Sequence, residues 1–346
     1  MSKEKAAYQP YNILVTGGAG FIGSHFARLQ LEHKDCRVVI LDKLTYAGNP
    51  DNIVDLMHDK YTSHYKFSLG DITDAAAVAA LLKHESIDTI VNFAAESHVD
   101  NSIQNASPFL ETNINGTVVL LDAARRTRVK RFVQVSTDEV YGSLEKGSAS
   151  EESMLNPGSP YAASKAAAEH IAKAWHNTFG VPVIMTRGSN NYGPYQYPEK
   201  VISLNICRLL DGKTFQIYGE GRQSRNWIYV CDHVAAIDKV MRQGRVGEIY
   251  NIGTHDELKN MDLARIICDH MDISHSKIES IKDPRPGHDM RYSIDWYKIR
   301  TLDWRPKASF EDGIKKTIEW YQTNKDWITS VKKRIDRFKT SSSLNA

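Results

Sequence analysis

Short apolar runs alternate with amphipathic stretches along the first half of the chain, and this alternation limits the possible folds more than any other feature. The runs predict strands, and the stretches between them predict helices. Nearly continuous β-branched runs are typical of strands that helices cover on both faces. The pattern therefore predicts an α/β fold with a doubly wound parallel sheet of the Rossmann type. The predicted strands span 13–15, 37–42, 65–69, 88–93, 131–136 and 182–186, and the predicted helices span 21–33, 75–84, 108–126 and 161–178.

The composition of the sequence changes after Gly188, where Gly, Pro, Tyr and Asn become frequent and the apolar runs shorten. We expect a Rossmann domain over residues 1–188 and a smaller, interleaved α/β substrate domain over residues 189–324, part of which returns to the first domain. Its predicted helices lie near 202–210, 233–242, 262–271 and 310–321, and its predicted strand at 215–218. The polar tail, residues 325–346, is rich in Lys and Arg and predicts an exposed or frayed helix followed by disorder.

The overall charge argues against some classes of partner. The formal net charge is +2, from 44 basic and 42 acidic residues in a chain of 346. There is no global basic field for nucleic acid or an anionic membrane. No apolar run approaches the roughly 18 residues that span a bilayer, and residues 1–10 lack the apolar core of a signal peptide. Because the four cysteines show no metal-binding or redox spacing, we expect a cytoplasmic protein without a metal.

Three glycines, Gly17, Gly20 and Gly23, follow the first predicted strand and open the first predicted helix. The first glycine allows a tight turn, the second allows a pyrophosphate to approach the backbone, and the third allows the helix to pack on the strand. The free N–H groups at the start of that helix favour phosphate. A glycine triplet alone is weak, but its place between strand and helix predicts a dinucleotide site.

Residues at the ends of the next strands extend this prediction. Asp42, at the end of the second strand, can accept hydrogen bonds from the adenosine ribose and would repel a 2′-phosphate, which favours NAD over NADP. Asp71 and Ile72 follow the third strand, within reach of adenine. Ala94 and Ala95 would let the dinucleotide lie against the sheet edge. The alternatives are a strand-end cap for Asp42, a helix cap for Asp71, and tight helix–strand packing for the alanines.

Tyr161 and Lys165 stand four residues apart, on one face of a predicted helix. A tyrosine is a poor base at neutral pH because its ordinary pKa is about 10. The Lys165 ammonium, together with a positive nicotinamide ring, would lower the pKa of Tyr161 and favour the phenolate. We therefore predict that Tyr161 is the base of a hydride transfer, and that Thr137 bonds the same substrate hydroxyl.

Asp138 and Glu139 follow Thr137 and add two carboxyl groups that simple hydride transfer does not need. Oxidation of a sugar at C4 makes its C5 proton acidic and allows the C6 hydroxyl to leave. Two neighbouring carboxyls of different pKa suit this elimination, so we predict Glu139 as the base and Asp138 as the acid. The alternative is an ordinary solvated pair in a loop.

Seven stretches carry a resemblance to a known family. From about residue 12 to residue 321 the chain resembles the extended short-chain dehydrogenase/reductases, and among them the nucleotide-sugar 4,6-dehydratases. The stretches are TGGAGFIGSH at 16–25, DKLTYAGN at 42–49, AAESHVD at 94–100, STDEVYG at 136–142, SPYAASKA at 159–166, NNYGPYQYPEK at 190–200 and RPGHDMRY at 285–292.

The resemblance implies further contacts. Those with NAD are Phe21, Ile22, Lys43, Leu44, Thr45, Thr112 and Asn191. Those with the sugar nucleotide are Ser97, Asn190, Lys200, Val201, Ile217, Tyr218, Arg225, Asn260, Arg285 and His288. Arg225 and Arg285 have an independent basis, because guanidinium groups bind phosphate oxygens bidentately. The alternatives are surface salt bridges for the two arginines and a capped loop position for His288.

The resemblance also implies an activity and a partner. The implied reaction is the 4,6-dehydration of dTDP-glucose with NAD recycled, and the implied assembly is a homodimer. Four positions, Asn101, Gln216, Asn226 and Pro284, depart from the family pattern on the nucleotide side. UDP-glucose or another nucleoside-diphosphate hexose is therefore an alternative substrate. A nucleotide-sugar 4-epimerase, which would not need Asp138 and Glu139, and a non-catalytic NAD-sensing protein are alternative functions.

Overall fold

A parallel sheet forms the centre of the larger part of the molecule. We analysed a computed structural model, which describes residues 7–57, 61, 63–285 and 289–343, with side chains up to residue 335. The sheet strands are β1 (Asn12–Thr16), β2 (Arg37–Asp42), β3 (Tyr65–Leu69), β4 (Thr89–Asn92), β5 (Arg131–Thr137), β6 (Val183–Gly188) and β10 (Ile249–Ile252). Their spatial order is β10-β6-β5-β4-β1-β2-β3, and every neighbouring pair is parallel. This confirms the predicted doubly wound Rossmann sheet.

Helices cover both faces of the sheet. They are α1 (Phe21–His33), α2 (Ala75–His84), α3 (Val99–Gln104), α4 (Ser107–Phe109), α5 (Gly116–Thr127) and α6 (Pro160–Phe179). The bounds of β2, β3, α1 and α2 are those predicted from the sequence. The helix predicted at 108–126 is interrupted, because a π-helical segment, Leu110–Asn115, joins α4 to α5. Single π-turns of this kind redirect side chains and are frequent at functional sites.

Strand order reverses beside β1, and this reversal locates the site. The chain runs from β1 outward to β2 and β3, and then returns to the other side of β1 to form β4, β5 and β6. In open α/β sheets, ligands bind outside the carboxyl ends of the strands at such a switch point. Apolar residues on the two sheet faces form two cores, one around Val15 and Phe26 and the other around Leu14 and Phe132.

The second part of the molecule has its own core and two small sheets. Its elements are β7 (Asn190–Tyr192), α7 (Val201–Leu210), β8 (Phe215–Tyr218), β9 (Ser224–Tyr229), α8 (Val230–Gln243), β11 (Glu257–Lys259), α9 (Asn260–His270), β12 (Ile278–Ile281), α10 (Phe310–Thr323) and α11 (Lys325–Ser343). The sheet orders are β11-β9-β7 and β12-β8. Buried aromatic rings, including Tyr192, Trp227 and Tyr321, fill the core between these elements.

Two elements of the second half return to the first sheet. The apolar side of α8 packs on α1, and its residues Val234, Ile237 and Met241 are buried in the same core as Phe26. The strand β10 then pairs with β6 and forms the edge of the large sheet. The chain thus enters the second part, returns to complete the first part, and leaves it again.

The prediction of an exposed or frayed helix after Asn324 is wrong for the start of that segment. The helix α11 buries Trp327, Ile328 and Val331 in the aromatic core of the second part. These residues lie at helical spacing and form one apolar stripe, while Lys325, Lys332 and Lys333 lie on the other faces. Basic composition concealed this stripe.

Candidate active site

A cleft with a volume of about 500 Å³ lies at the carboxyl ends of the sheet strands, between the two parts of the molecule. Of the predicted site residues that the structure describes, all line it except Leu44. The lining residues among them are Gly17, Gly20, Phe21, Ile22, Gly23, Asp42, Lys43, Thr45, Asp71, Ile72, Ala94, Ala95, Ser97, Thr112, Thr137, Asp138, Glu139, Tyr161, Lys165, Asn190, Asn191, Lys200, Val201, Ile217, Tyr218, Arg225, Asn260 and Arg285. His288 lies outside the described residues, and Leu44 lies beside the cleft, where its N–H donates to Asp42 Oδ1 at 2.8 Å.

The glycine turn forms a cradle that side chains would fill. Gly17 has a φ of +66°, and a Cβ there would lie 2.8 Å from the Ala94 nitrogen. A Cβ on Gly23 would overlap the Gly17 carbonyl oxygen. The helix α1 begins after Gly20 without a side-chain cap, so its first N–H groups are available to a ligand. The cradle therefore suits a phosphate group approaching the start of α1.

Asp42 and Asp71 end the second and third strands at the same edge of the cleft. Asp42 accepts hydrogen bonds from the N–H groups of Ala19 and Leu44 at 2.9 and 2.8 Å, and burial raises its pKa. It therefore caps its own turn as well as lining the cleft. Asp71 forms an ion pair with Lys43 at 2.5 Å. The alternative that Asp71 caps the next helix is wrong, because Asp74 caps α2.

The π-helical segment places polar groups under the cleft. Asn113, on its inner side, accepts from the Glu96 N–H at 2.9 Å and donates to the Glu96 carbonyl oxygen at 3.1 Å. It also donates to Ser164 Oγ at 2.8 Å. Thr112 lines the cleft beside it. Asn113 thus joins the loop after β4 to helix α6.

Asp138 and Glu139 begin a short 3₁₀-helix, Asp138–Tyr141, at the end of β5. Thr137 caps it, because its Oγ1 accepts from the Glu139 N–H at 3.3 Å. Asp138 is 2% exposed, and its Oδ2 has no hydrogen-bond partner among the described residues. The interpretation of this pair as a solvated loop is therefore wrong, since Asp138 is buried and both carboxyls line the cleft.

The two carboxyls differ in their surroundings. Burial, followed by the charge of Glu139, raises the pKa of Asp138 to about 8. Burial also raises the pKa of Glu139, but the cations of Lys200 and Arg225 oppose the rise. At neutral pH Asp138 is therefore mostly protonated, while Glu139 has cations that favour its carboxylate. This is the division that an acid and a base require.

Tyr161 and Lys165 lie near the start of α6, four residues apart and both buried. The expected lowering of the Tyr161 pKa by Lys165 is not found. Burial, and then the charge of Glu139, raises the pKa of Tyr161, and a hydrogen bond with Thr137 opposes this rise. Lys165 Nζ donates instead to the Val135 carbonyl oxygen at 2.7 Å, and burial lowers the pKa of Lys165 to about 8.

A buried ion pair fixes helix α6 on the sheet. Arg187, in β6, bonds the Glu169 carboxylate through Nε at 2.9 Å and Nη2 at 2.6 Å, and both side chains are less than 5% exposed. The same guanidinium donates to the Tyr141 hydroxyl at 2.7 Å. These contacts connect the helix that carries Tyr161 to the strand and turn around Asp138.

The far side of the cleft is basic. Lys200 Nζ donates to the Ser97 carbonyl oxygen at 2.8 Å. Arg225 is buried and lies over the Tyr292 ring, 4.2 Å from its centroid, while its Nη2 donates to the Asp289 carbonyl oxygen at 2.8 Å. Because Arg225 is buried, the alternative that it forms a surface salt bridge is wrong. Arg285 does form an ion pair, with Asp283 at 2.8 Å.

Several lining residues were missed from the sequence. Burial raises the pKa of Glu199 to about 7 and also raises the pKa of Glu96. Burial lowers the pKa of His233 to about 3, and its Nδ1 donates to Asn191 Oδ1 at 2.7 Å. Glu199 could have been found, since it precedes Lys200 in a stretch already singled out. His233 gave no signal, because it lies within an ordinary amphipathic helix.

The described residues contain no group of three or more His, Cys, Asp or Glu that could hold a metal ion. Nor does any helix in that part of the chain have the length and apolar character to cross a membrane. The four cysteines are free thiols.

The fold and the cleft define a Rossmann-fold enzyme of the short-chain dehydrogenase/reductase type. The model of the GDP-mannose 4,6 dehydratase family matches residues 14–317, and the chain belongs to this family. It is 46% identical to dTDP-glucose 4,6-dehydratase 1 of Escherichia coli (strain K12), covering 92% of this chain and 95% of that protein. It is 48% identical to dTDP-glucose 4,6-dehydratase of Streptomyces niveus, with the same coverage.

A similar structure has also been solved. It is DesIV, the dTDP-glucose 4,6-dehydratase of Streptomyces venezuelae, with NAD and TYD bound. It is 49% identical, with a TM-score of 0.88, over 91% of this chain and 98% of that one.

Proposed function

We propose that the protein is an NAD-dependent dTDP-glucose 4,6-dehydratase, a hydro-lyase that converts dTDP-glucose to dTDP-4-keto-6-deoxyglucose and water. The observation that carries this proposal is the acid pair: Asp138 and Glu139 line one cleft with Tyr161 and Lys165. The family and its dTDP-glucose-dehydrating members support the same conclusion.

The chain's own residues fit NAD. The cradle at Gly17 and Gly23 leaves room for the pyrophosphate at the start of α1, and Asp42 and Asp71 lie where the adenosine half would end. Bound NAD would supply the hydride acceptor for C4 and the hydride donor for C6. The positive charge of its oxidised form would lower the pKa of Tyr161, which burial and Glu139 raise.

The side chains of Tyr161, Glu139 and Asp138 account for each proton transfer of the reaction. Tyr161 takes the proton of the C4 hydroxyl as the ketone forms, and Lys165 holds the nearby ribose. Glu139 then takes the C5 proton, and Asp138 donates its proton to the C6 oxygen, which leaves as water. After hydride has returned to C6, Glu139 returns a proton to C5. A proton passing from Tyr161 to Asp138 through solvent restores both groups.

Arg225 and Arg285, with Lys200, would hold the nucleotide diphosphate. Asn190 Oδ1 and Asn260 Oδ1 are buried without a hydrogen-bond partner among the described residues, so each can accept from a bound ligand. The dimer and the cytoplasmic location belong to the proposal as well.

Incubation with dTDP-glucose in deuterated water tests the proposal. We expect a keto product that has lost one water and gained deuterium at C5, without any added reductant. A 4-epimerase would give an isomer of unchanged mass with no C5 exchange. Parallel incubations with UDP-glucose, UDP-N-acetylglucosamine and CDP-glucose would identify the nucleotide and hexose. Absence of turnover with the whole panel would refute the proposal and favour a non-catalytic NAD-binding protein.

A further inference from the structure

The helix α11 lies against the loop that borders the adenosine end of the cleft. Arg334, on α11, donates from Nη2 to the carbonyl oxygens of Thr45 and Gly48, at 3.1 and 2.7 Å. Thr45 and Gly48 both line the cleft, beside Asp42. One guanidinium group thus bridges two points of a wall that the cofactor would contact.

This loop, residues 43–48, has no regular secondary structure of its own. Leu44 has a φ of +55°, a conformation that costs a non-glycine residue free energy and persists only where neighbours hold it. A Cβ on Gly48 would lie 2.6 Å from Asp42 Oδ1, so the loop folds closely over this carboxylate. Its shape therefore depends on contacts from outside, and Arg334 supplies two of them.

A second line of hydrogen bonds joins α11 to the glycine turn. Trp327 Nε1 donates to Asn52 Oδ1 at 2.8 Å, and Asn52 Nδ2 donates to the Ala19 carbonyl oxygen at 2.9 Å. The Ala19 N–H in turn donates to Asp42 Oδ2 at 2.9 Å. The helix thus reaches both sides of the predicted NAD site, the loop through Arg334 and the glycine turn through Trp327.

We propose that α11 is a strap that retains the cofactor, and that Arg334 is its positioning residue. The proposal rests on the proposed function, in which one NAD is used and regenerated in each cycle and must stay bound between cycles. Arg334 is not among the residues that line the cleft. Its loss should therefore release NAD faster while leaving the chemical step intact when NAD is supplied.

Arg334→Met tests this, because methionine keeps an apolar chain of similar length and removes the donors. The matched control is Lys332→Met on the same helix, since Lys332 pairs with Asp211 at 2.7 Å, away from the loop. Each full-length protein is passed through a desalting column, and its bound NAD is measured by chromatography after acid release. The rate of NAD loss on dilution and the concentration of added NAD that restores half the activity are measured in parallel.

Loss of two hydrogen bonds from a charged donor should raise the rate of NAD loss about tenfold to a hundredfold in Arg334→Met. Lys332→Met should match the unmodified protein, and excess NAD should restore most of the activity of Arg334→Met. If Arg334→Met is not folded by circular dichroism, the same measurements on Arg334→Gln decide the question. A folded Arg334 variant that keeps NAD as the unmodified protein does would overturn the strap, and equal loss in Lys332→Met would overturn the role of Arg334. If the unmodified protein neither carries nor binds NAD, the proposed function fails instead.

Discussion

Replacing Asp138 with asparagine should stabilise the protein at neutral pH while removing its ability to eliminate water. Burial and the charge of Glu139 raise the pKa of Asp138 from 3.8 to about 8. Below pH 3.8 the folded and unfolded states both hold the proton, so the shift costs no stability there. As pH rises toward 8 only the unfolded state releases the proton, and the unfolded state is favoured by about 1.4 kcal/mol per pH unit. Above pH 8 both states are ionised and the cost stays constant.

The magnitude at pH 7 follows from this shift. Across about three pH units the cost of burying Asp138 amounts to roughly 4 kcal/mol. Asparagine avoids that cost but would place an amide where Oδ2 now has no partner among the described residues, a penalty of about 1–3 kcal/mol. The Asp138→Asn variant should therefore gain about 1–3 kcal/mol at pH 7 and lose about 1–2 kcal/mol at pH 4, where the penalty of the amide remains and little ionisation cost is relieved.

Urea unfolding at pH 4, 6, 7 and 8, with excess NAD throughout, measures this difference. Glu152→Gln removes the same charge from an exposed position and serves as the control. Dehydration by Asp138→Asn should fall by about 10²–10⁴-fold, the usual contribution of a general acid, while deuterium exchange at C5 continues. A variant that is less stable than the unmodified protein at pH 7 and 8, or that still dehydrates at a comparable rate, would contradict these expectations.

Three further outcomes are expected. Tyr161→Phe should lose C5 exchange and dehydration together by about 10²–10⁴-fold, with its NAD content unchanged by chromatography; exchange without dehydration would exclude Tyr161 as the first base. The rate of dehydration should fall as pH rises above about 8, because Asp138 then loses its proton and Lys165 its charge, each having a pKa of about 8; initial rates from pH 6 to 10 that rise through pH 9 would contradict this. Gly17→Ala should lose most bound NAD, because its φ is +66° and a Cβ would lie 2.8 Å from the Ala94 nitrogen; a full complement of NAD in the purified variant would count against the cradle.

Local patterns predicted most of the first half of the fold, since most of its strands and helices have an apolar period of their own, but the short helix Val99–Gln104 was missed. The strands β9 and β10 were missed because their partners are distant in sequence. Ser224–Tyr229 pairs with strands on both sides, and Ile249–Ile252 has only four residues and pairs with β6. The packing of α11 was also missed, because its buried stripe is narrow and its composition is basic.

The gathering of the site into one cleft could be predicted, because strand ends in a parallel sheet share an edge. The electrostatics could not be predicted in full. The spacing of Tyr161 and Lys165 indicates a shared face but does not show that Lys165 bonds the Val135 carbonyl oxygen, or that burial outweighs its effect on the tyrosine. His233 also depends on tertiary structure, because only the folded chain brings it to Asn191.

The return of α8 and β10 to the large sheet has a consequence for engineering the enzyme. A chimaera made with a single junction after Gly188 would exchange the sheet's edge strand and the helix on α1 together with the sugar-nucleotide pocket. A graft that alters substrate choice while keeping the recipient's oxidation machinery therefore needs separate junctions around Val230–Gln243 and Ile249–Ile252, so that both elements stay with their native neighbours.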